Sequence, residues 1–452
     1  MNSSNSSRLL EENIPRLLLS FSMPAIIAML AQAFYNLIDR VFLGHAIGRL
    51  GIAGTTVSFP FMTFTMAFGL LVGYGSTALV SIRLGEKKMD EAERVLGNAL
   101  SLLLALGISL AAISLVFIDP LLGLFGASAE VLPYARDYMS IILVGTPLQM
   151  LGSGLSGTVR GEGNPKLAMG AMLLSVVVNA ILAPIFIFTL NGGMKGAAWA
   201  TVAAQALSAL VVFSYYIRGK SQVRLRASNL RLDPAVTKGI LAVGAPPFAL
   251  HISTTISNSL FNHQLLVTGG DLAVSVMGII YSFMIVITLP IMGVNMGAQP
   301  IIGFNFGAKR YDRVKETFKY AALGGIFIAS AGFLVAMFFP GALVKVFNNN
   351  DDQLVEFGVH AIRLSLLFLP VAGFQMVCSG YFQAVGKPKH AMFLTLSRQF
   401  LLLIPALLIL PGLFGVDGVW YSIIASDLAA AVLTLALLAR EMRDFNRAMV
   451  AT

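Results

Sequence analysis

Twelve long apolar runs constrain the fold of this chain more than any other feature of the sequence. A helix needs about 20 apolar residues to cross a bilayer core about 30 Å thick. The runs lie at 16–43, 52–82, 94–118, 133–159, 166–190, 195–217, 239–265, 272–304, 316–340, 355–383, 390–411 and 416–439. They lack the short alternating pattern of barrel strands, and a helix satisfies its own backbone in lipid. The sequence therefore predicts an all-α integral membrane protein with twelve transmembrane helices.

Composition and motifs exclude several other functions. Only 12% of the residues are charged, against about 25% in soluble domains. The formal charge of +9 could suggest nucleic acid, but the basic residues lie in short loops between apolar runs, so we expect membrane lipid and no nucleic-acid partner. The lone Cys378 offers neither a disulfide nor a metal cluster, and no cleavable signal peptide is recognised. Ser214 stands where a phosphate loop ending in Gly219-Lys220-Ser221 requires glycine, so neither an enzyme nor an organic cofactor is expected.

The distribution of positive charge predicts the orientation of the chain. The segments on the side of the N-terminus carry 24 Lys and Arg residues, and those on the opposite side carry five. Because Lys and Arg are enriched in cytoplasmic loops, the pattern predicts a multi-pass protein of the cell membrane (inner or plasma) with both termini cytoplasmic.

An internal repeat divides the chain into two halves. At an offset of 222 residues, Gly85-Glu86-Lys87 aligns with Gly307-Ala308-Lys309, and Pro24 aligns with Pro246; one residue later, Pro165 aligns with Pro388. Each half holds six spans, so the sequence predicts two homologous six-helix lobes related by a pseudo-two-fold axis along the membrane normal. We assign 1–220 to the N-terminal lobe, 221–238 to a cytoplasmic linker and 239–452 to the C-terminal lobe. This arrangement favours alternating access, with a channel or scaffold as the other interpretation.

A polar stripe on the first span indicates a functional site. Gln32, Tyr35, Asn36 and Asp39 follow the spacing that places side chains on one helix face, so this face should line a cavity rather than meet lipid. Asp39 has Phe261 as its repeat counterpart, so the carboxylate is not a requirement of both lobes. We interpret Asp39 as the residue that couples transport to a cation or proton, with Tyr35 and Asn36 beside it; the alternative is that Asp39 marks only the outer end of the helix.

Three other features have both a functional and a structural interpretation. Pro24 interrupts the helical hydrogen bonds of the first span, as a hinge or as a static kink. Arg398 and Asp427 lie at similar depth in neighbouring spans and should form an ion pair, with a role in coupling or gating, or in structure alone. Flexible methionines suit a promiscuous apolar cavity or fill gaps between helices. The methionines within spans are Met62, Met66, Met150, Met172, Met284 and Met292.

The motifs resemble those of the multidrug and toxic compound extrusion (MATE) family. The resemblance rests on the tandem repeat, on Pro24, on the segment Gln32-x-x-Tyr35-Asn36-x-x-Asp39-Arg40-Val41-Phe42-Leu43-Gly44, and on the loops Gly85-x-Lys87 and Gly161-x-Gly163-x-Pro165. It implies a V-shaped pair of lobes that exports hydrophobic, often cationic, compounds in exchange for H⁺ or Na⁺. It also implies that Tyr35, Asp39, Asn179 and Thr201 form the coupling site.

Departures from the family pattern refine this expectation. Ala183 stands where some members have a second aspartate, the seventh span has no acid, and the tenth has only Glu356 at its edge. We therefore expect antiport driven by H⁺ rather than Na⁺, in a protein that functions as a monomer. The alternative function is a flippase for a lipid-linked precursor, but such a protein should carry a more cationic cleft, and only Arg363 and Arg398 lie within spans.

Overall fold

The structure is a computed structural model that describes residues 3–219, 221–347 and 351–450, apart from the side chains of residues 3–6, 35–41, 44, 49, 255 and 444–450. This described part of the chain is helical and contains no strand. Its α-helices are α1 Ser3–Glu11, α2 Ile14–Ile47, α3 Arg49–Gly85, α4 Met89–Val116, α5 Ile118–Leu124, α6 Leu132–Gly161, α7 Pro165–Pro184, α8 Gly193–Ile217, α9 Pro234–Gly307, α10 Tyr311–Phe338, α11 Pro340–Lys345, α12 Asp352–Ser365, α13 Leu369–Ala384, α14 Pro388–Leu396, α15 Ile404–Phe414 and α16 Val416–Val450. The π-helical segments Ile185–Thr189 and Ser397–Leu403 continue α7 and join α14 to α15.

The helices have the lengths that twelve membrane crossings require. Ten helices in the described ranges are long and apolar enough to span a membrane, and α12 with α13 forms a further pair bent by 45°. Helix α9 has 74 residues and non-helical backbone at Gly270, with φ 64°. It therefore contains the seventh and eighth spans in one continuous segment. Counting α9 as two spans and the bent pair as one gives the twelve helices expected from the apolar runs.

The internal repeat reappears in the backbone conformation. Lys87 and Lys309, aligned by the repeat, are both left-handed, with φ 61° and 57°. Glycines at paired loop positions also have positive φ: Gly48 and Gly270, Gly163 and Gly386, Gly193 and Gly415. Non-glycine residues rarely adopt this region. The shared conformation at paired positions therefore supports two copies of one six-helix fold.

The chain forms two compact units. Unit 1 comprises Met1–Glu12, Ile27–Phe248 and Gly303–Lys309, and unit 2 comprises Asn13–Ile26, Ala249–Ile302 and Arg310–Thr452. Within unit 1, α3 approaches the beginning and the end of α9 closely, because glycine removes the side chain at the crossing points. Gly75 lies against the Ile240 carbonyl, and Gly85 lies against the Phe304 carbonyl. Within unit 2, Gly297 of α9 lies in the same way against Ser22 of α2.

Candidate functional site

A buried polar pair connects α7 and α8 in unit 1. Asn179 donates a hydrogen bond from Nδ2 to Thr201 Oγ1 over 3.1 Å. The Thr201 hydroxyl in turn donates to the Ala197 carbonyl at 3.1 Å, and both side chains of the pair are only 2% exposed. Buried polar groups are expensive without such partners. The pair is therefore a satisfied but water-free polar site inside the helix bundle.

An apolar cluster lies beside this polar pair and brings α2 to it. Leu43 of α2, Ala183 of α7 and Ala197 of α8 are fully buried members of one cluster, which also includes residues of α6. Phe42 adds an edge-to-face contact with Phe188, with ring centroids 6.4 Å apart. The end of α2 that follows Asp39 is therefore packed against the helices that carry Asn179 and Thr201.

The polar stripe of the first span is described only in part. Tyr35, Asn36 and Asp39 belong to α2, but their side chains lie outside the described residues. Gln32 is exposed. Pro24 lies inside α2, which continues through it as a helix.

A second polar site lies between the last helices of unit 2. Arg398 Nε and Nη2 both contact Asp427 Oδ1 at 2.8 Å, so the ion pair expected from the sequence is present. Asp427 is buried, with its side chain 4% exposed, whereas that of Arg398 is 28% exposed. Gln375 donates to the backbone carbonyl of Asp427 at 3.0 Å. The neighbouring Gln399 accepts a hydrogen bond from Ser257 at 3.1 Å.

The two polar sites occupy related positions in the repeat. Asn179 follows Pro165 by 14 residues and Arg398 follows Pro388 by ten, so the two lie one helical turn apart in register. Their partners show the same displacement, because Thr201 follows Gly193 by eight residues and Asp427 follows Gly415 by twelve. Each half therefore joins its last two spans by one polar pair. The pair is neutral in the first half and charged in the second.

Comparison with known proteins identifies the fold. The MatE family model matches residues 24–185 and 248–409, which is well over half of the chain. The chain belongs to the MatE family. Multidrug export protein MepA of Staphylococcus haemolyticus (strain JCSC1435) is 28% identical over 425 residues, covering 94% of this chain and 93% of the relative.

Solved structures of the MATE family superpose over nearly the whole chain. One described as MATE in the bent conformation has a TM-score of 0.92 at 25% identity, covering 99% of this chain and 100% of that one. The structure of the MATE multidrug transporter DinF-BH has a TM-score of 0.89 at 38% identity, covering 98% of this chain and 99% of that one. These matches confirm the resemblance drawn from the sequence and the two-lobed, twelve-helix membrane fold. MATE proteins are transporters rather than enzymes.

The methionines expected in a substrate cavity differ in their surroundings within this MATE fold. Met66 is 39% exposed and Met150 is completely buried. Met62 packs against the apolar cluster of Leu43, and Met284 packs against the main core of unit 2. Met172 and Met292 are partly buried. Among the six, exposure singles out Met66, because a completely buried thioether fills space between helices.

Sequence reasoning missed two groups of side chains. Phe64, Phe68 and Phe248 form a chain of aromatic contacts in unit 1, with ring centroids 5.1 and 4.9 Å apart. The four-residue spacing of the first two could have revealed it. In unit 2, Tyr281 donates to Asn258 Oδ1 at 2.7 Å, and only the alignment of Asn258 with Asn36 pointed to that position. The described residues contain no group of three or more His, Cys, Asp or Glu side chains that could hold a metal ion.

Proposed function

We propose that this MATE protein is a secondary active antiporter that exports hydrophobic, often cationic, compounds in exchange for H⁺. The full-length similarity to a multidrug export protein and to a multidrug transporter supports export of small drug-like compounds. The observation that carries the coupling mechanism is the position of α2 beside the buried pair of Asn179 and Thr201.

The register of the three helices supports Asp39 as the coupling residue. Leu43, Ala183 and Ala197 meet in one apolar cluster. Asp39 precedes Leu43 by one helical turn, and Asn179 precedes Ala183 by one turn. Thr201 follows Ala197 by one turn on α8, which follows α7 after a short connection and should run in the opposite direction. All three polar residues are therefore one turn below the same apolar layer, and we assign the coupling site to this level.

The composition of this level favours H⁺ over Na⁺. A sodium site needs several oxygen ligands, whereas one carboxyl is enough to carry a proton. Ala183 is completely buried in the apolar cluster, so it adds no ligand from α7. The Thr201 hydroxyl and the Asn179 amide are already hydrogen-bonded to each other. Asp39 is left as the group whose protonation changes the charge of the site, with Tyr35 and Asn36 as its neighbours on α2.

Aromatic and thioether groups suit the proposed substrates. Phe64 and Met66 on α3 are each 39% exposed, and Phe68 links Phe64 to Phe248. Aromatic faces attract lipophilic cations, and a methionine adapts to ligands of different shape. This surface and the exposed Gln32 are our candidates for substrate contact.

The remaining elements of the proposal concern the whole molecule. The lobes 1–220 and 239–452, joined by the linker 221–238, would alternate in access as a monomer in the cell membrane, with both termini cytoplasmic. Pro24 would serve as the hinge of α2. The ion pair of Arg398 and Asp427 would stabilise the second lobe or take part in gating.

The coupling proposal is tested by ethidium transport in inside-out vesicles with an imposed pH gradient and no Na⁺. We expect Asp39→Asn to reduce proton-driven uptake by at least about tenfold, because the amide cannot carry a proton. Asp271→Asn is the matched control, since Asp271 is an exposed acid on α9 and should leave transport unchanged.

Three outcomes would change the proposal. Undiminished proton-driven uptake by the Asp39→Asn variant would remove Asp39 from the mechanism. Wild-type uptake that depends on added Na⁺ would reverse the choice of coupling ion. Failure of the wild type to move any lipophilic cation would favour the flippase.

A further inference from the structure

The segment after α8 is held against unit 1 by buried polar side chains of other helices. Glu93 of α4 binds Arg226 at 2.7 Å, and Asn98 of α4 accepts the Asp233 amide hydrogen bond at 2.7 Å. Glu162, the residue that follows α6, holds the beginning of the same segment. It differs from Glu93 because no cation among the described residues is paired with it.

Glu162 is surrounded by neutral donors. Its Oε2 accepts hydrogen bonds from Ser221 Oγ at 2.5 Å, from the Gln222 amide at 3.1 Å and from the Tyr215 hydroxyl at 3.4 Å. The residue is 1% exposed, and its Oε1 has no hydrogen-bond partner among the described residues. A carboxylate in such a site keeps one oxygen dry and unpaired, which is costly.

Protonation of Glu162 would satisfy the unpaired oxygen. The Tyr216 hydroxyl also faces the carboxyl and lies 2.6 Å from Thr158 Oγ1. Thr158 donates its own proton to the Leu155 carbonyl at 2.8 Å, so Tyr216 must be the donor to Thr158. The Tyr216 oxygen is therefore left as an acceptor for the proton of a neutral Glu162.

We propose that Glu162 is a pH-responsive clasp that holds linker residues 221–223 against the ends of α6 and α8, tightly when neutral and weakly when ionised. This role is separate from transport coupling. With the orientation proposed above, the clasp responds to cytoplasmic pH. The second half uses the equivalent loop differently, because Lys387 there binds the buried Glu441 at 2.7 Å.

The direction of the response follows from linkage. Burial raises the pKa of Glu162 from 4.5 to about 7, although the hydrogen bonds from Ser221, Tyr216, Gln222 and Tyr215 lower it. A released, hydrated Glu162 would have its ordinary pKa. The closed clasp therefore holds its proton more tightly, and its stability is greatest below pH 4.5. Release becomes about tenfold more favourable for each pH unit between these pKa values and changes little above the higher one.

Cysteine labelling of the linker tests this inference. Val223 is completely buried, so Val223→Cys reports release of the segment, in a Cys378→Ala background that removes the native thiol. Maleimide labelling rates would be measured in inside-out vesicles between pH 5.5 and 7.5, with and without Glu162→Gln. The ratio of the two rates cancels the pH dependence of the thiol itself. We expect this ratio to rise about twentyfold across the range, because the amide stays neutral.

Controls keep the outcome decisive. A ratio that does not change with pH would overturn the clasp. Lys220 is the nearest cation in sequence and lies outside the described residues; loss of the pH dependence in Lys220→Gln would assign the effect to an ion pair instead and would also overturn it. If Val223→Cys does not fold, hydrogen exchange of residues 221–223 in the otherwise wild-type chain, compared with Glu162→Gln at both pH values, gives the same test.

Discussion

The close approach of α3 and α9 in unit 1 makes the size of two glycines a strong determinant of stability. A Cβ built on Gly75 would lie within 3.0 Å of the Ile240 carbonyl oxygen, and one built on Gly244 would meet the Leu71 carbonyl in the same way. These neighbours are backbone atoms and cannot rotate aside. Alanine at either position would therefore force the helices apart by an amount on the order of 1 Å in a close-packed interior.

The free-energy change has two opposing parts. Overpacking of a tight contact costs about 1–3 kcal/mol, whereas replacing a helical glycine by alanine gains about 1 kcal/mol. We therefore expect Gly75→Ala and Gly244→Ala to be destabilising by up to about 2 kcal/mol. Gly170 of α7 provides the matched control, because a Cβ there meets no atom within 4 Å. Gly170→Ala should keep the gain in helix propensity without the clash.

Thermal unfolding of the purified protein in one detergent, at one heating rate, measures the difference. Comparison at a fixed rate is needed because such unfolding is often irreversible. We expect the apparent Tm of Gly170→Ala to equal or exceed that of the wild type, and those of Gly75→Ala and Gly244→Ala to lie below it. Equal melting of all three variants would refute the inference that backbone contact at these crossings sets the helix spacing.

Three further predictions use the same melting assay. Thr201→Val leaves the buried Asn179 amide without its acceptor and should cost about 1–3 kcal/mol; a cost no larger than that of the double variant with Asn179→Leu would contradict this account. Asp427→Asn should cost up to about 3 kcal/mol by isolating Arg398, and Arg398→Met with Asp427→Leu should recover much of that loss; a double variant as unstable as the single one would argue against a pairing role. The wild type should lose stability relative to Glu162→Gln as pH rises from 4.5 to about 7, because the folded protein holds the proton of this acid more tightly than the unfolded chain does. The difference should reach at most about 3 kcal/mol above that range, and parallel pH profiles would contradict it.

Much of the architecture could be predicted because the relevant signals are local in sequence. The length of an apolar run determines whether a helix can cross a bilayer, so the twelve spans were recognisable without any tertiary information. Only the join at Gly270 and the bend between α12 and α13 were not. The ion pair of Arg398 and Asp427 was predictable for a related reason, since an isolated charge in a span is too costly to leave without a partner.

The sequence by itself thus determined the membrane fold, the repeat and the presence of a polar stripe around Asp39. Tertiary structure alone decided which polar groups are buried and what they meet. Glu162 stands in a short polar loop and reads as a solvated charge, yet it is buried by residues 221 and 222, about sixty positions later in the chain. Desolvation depends on every neighbour that excludes water. Those neighbours are brought together by helix packing, which no local pattern specifies.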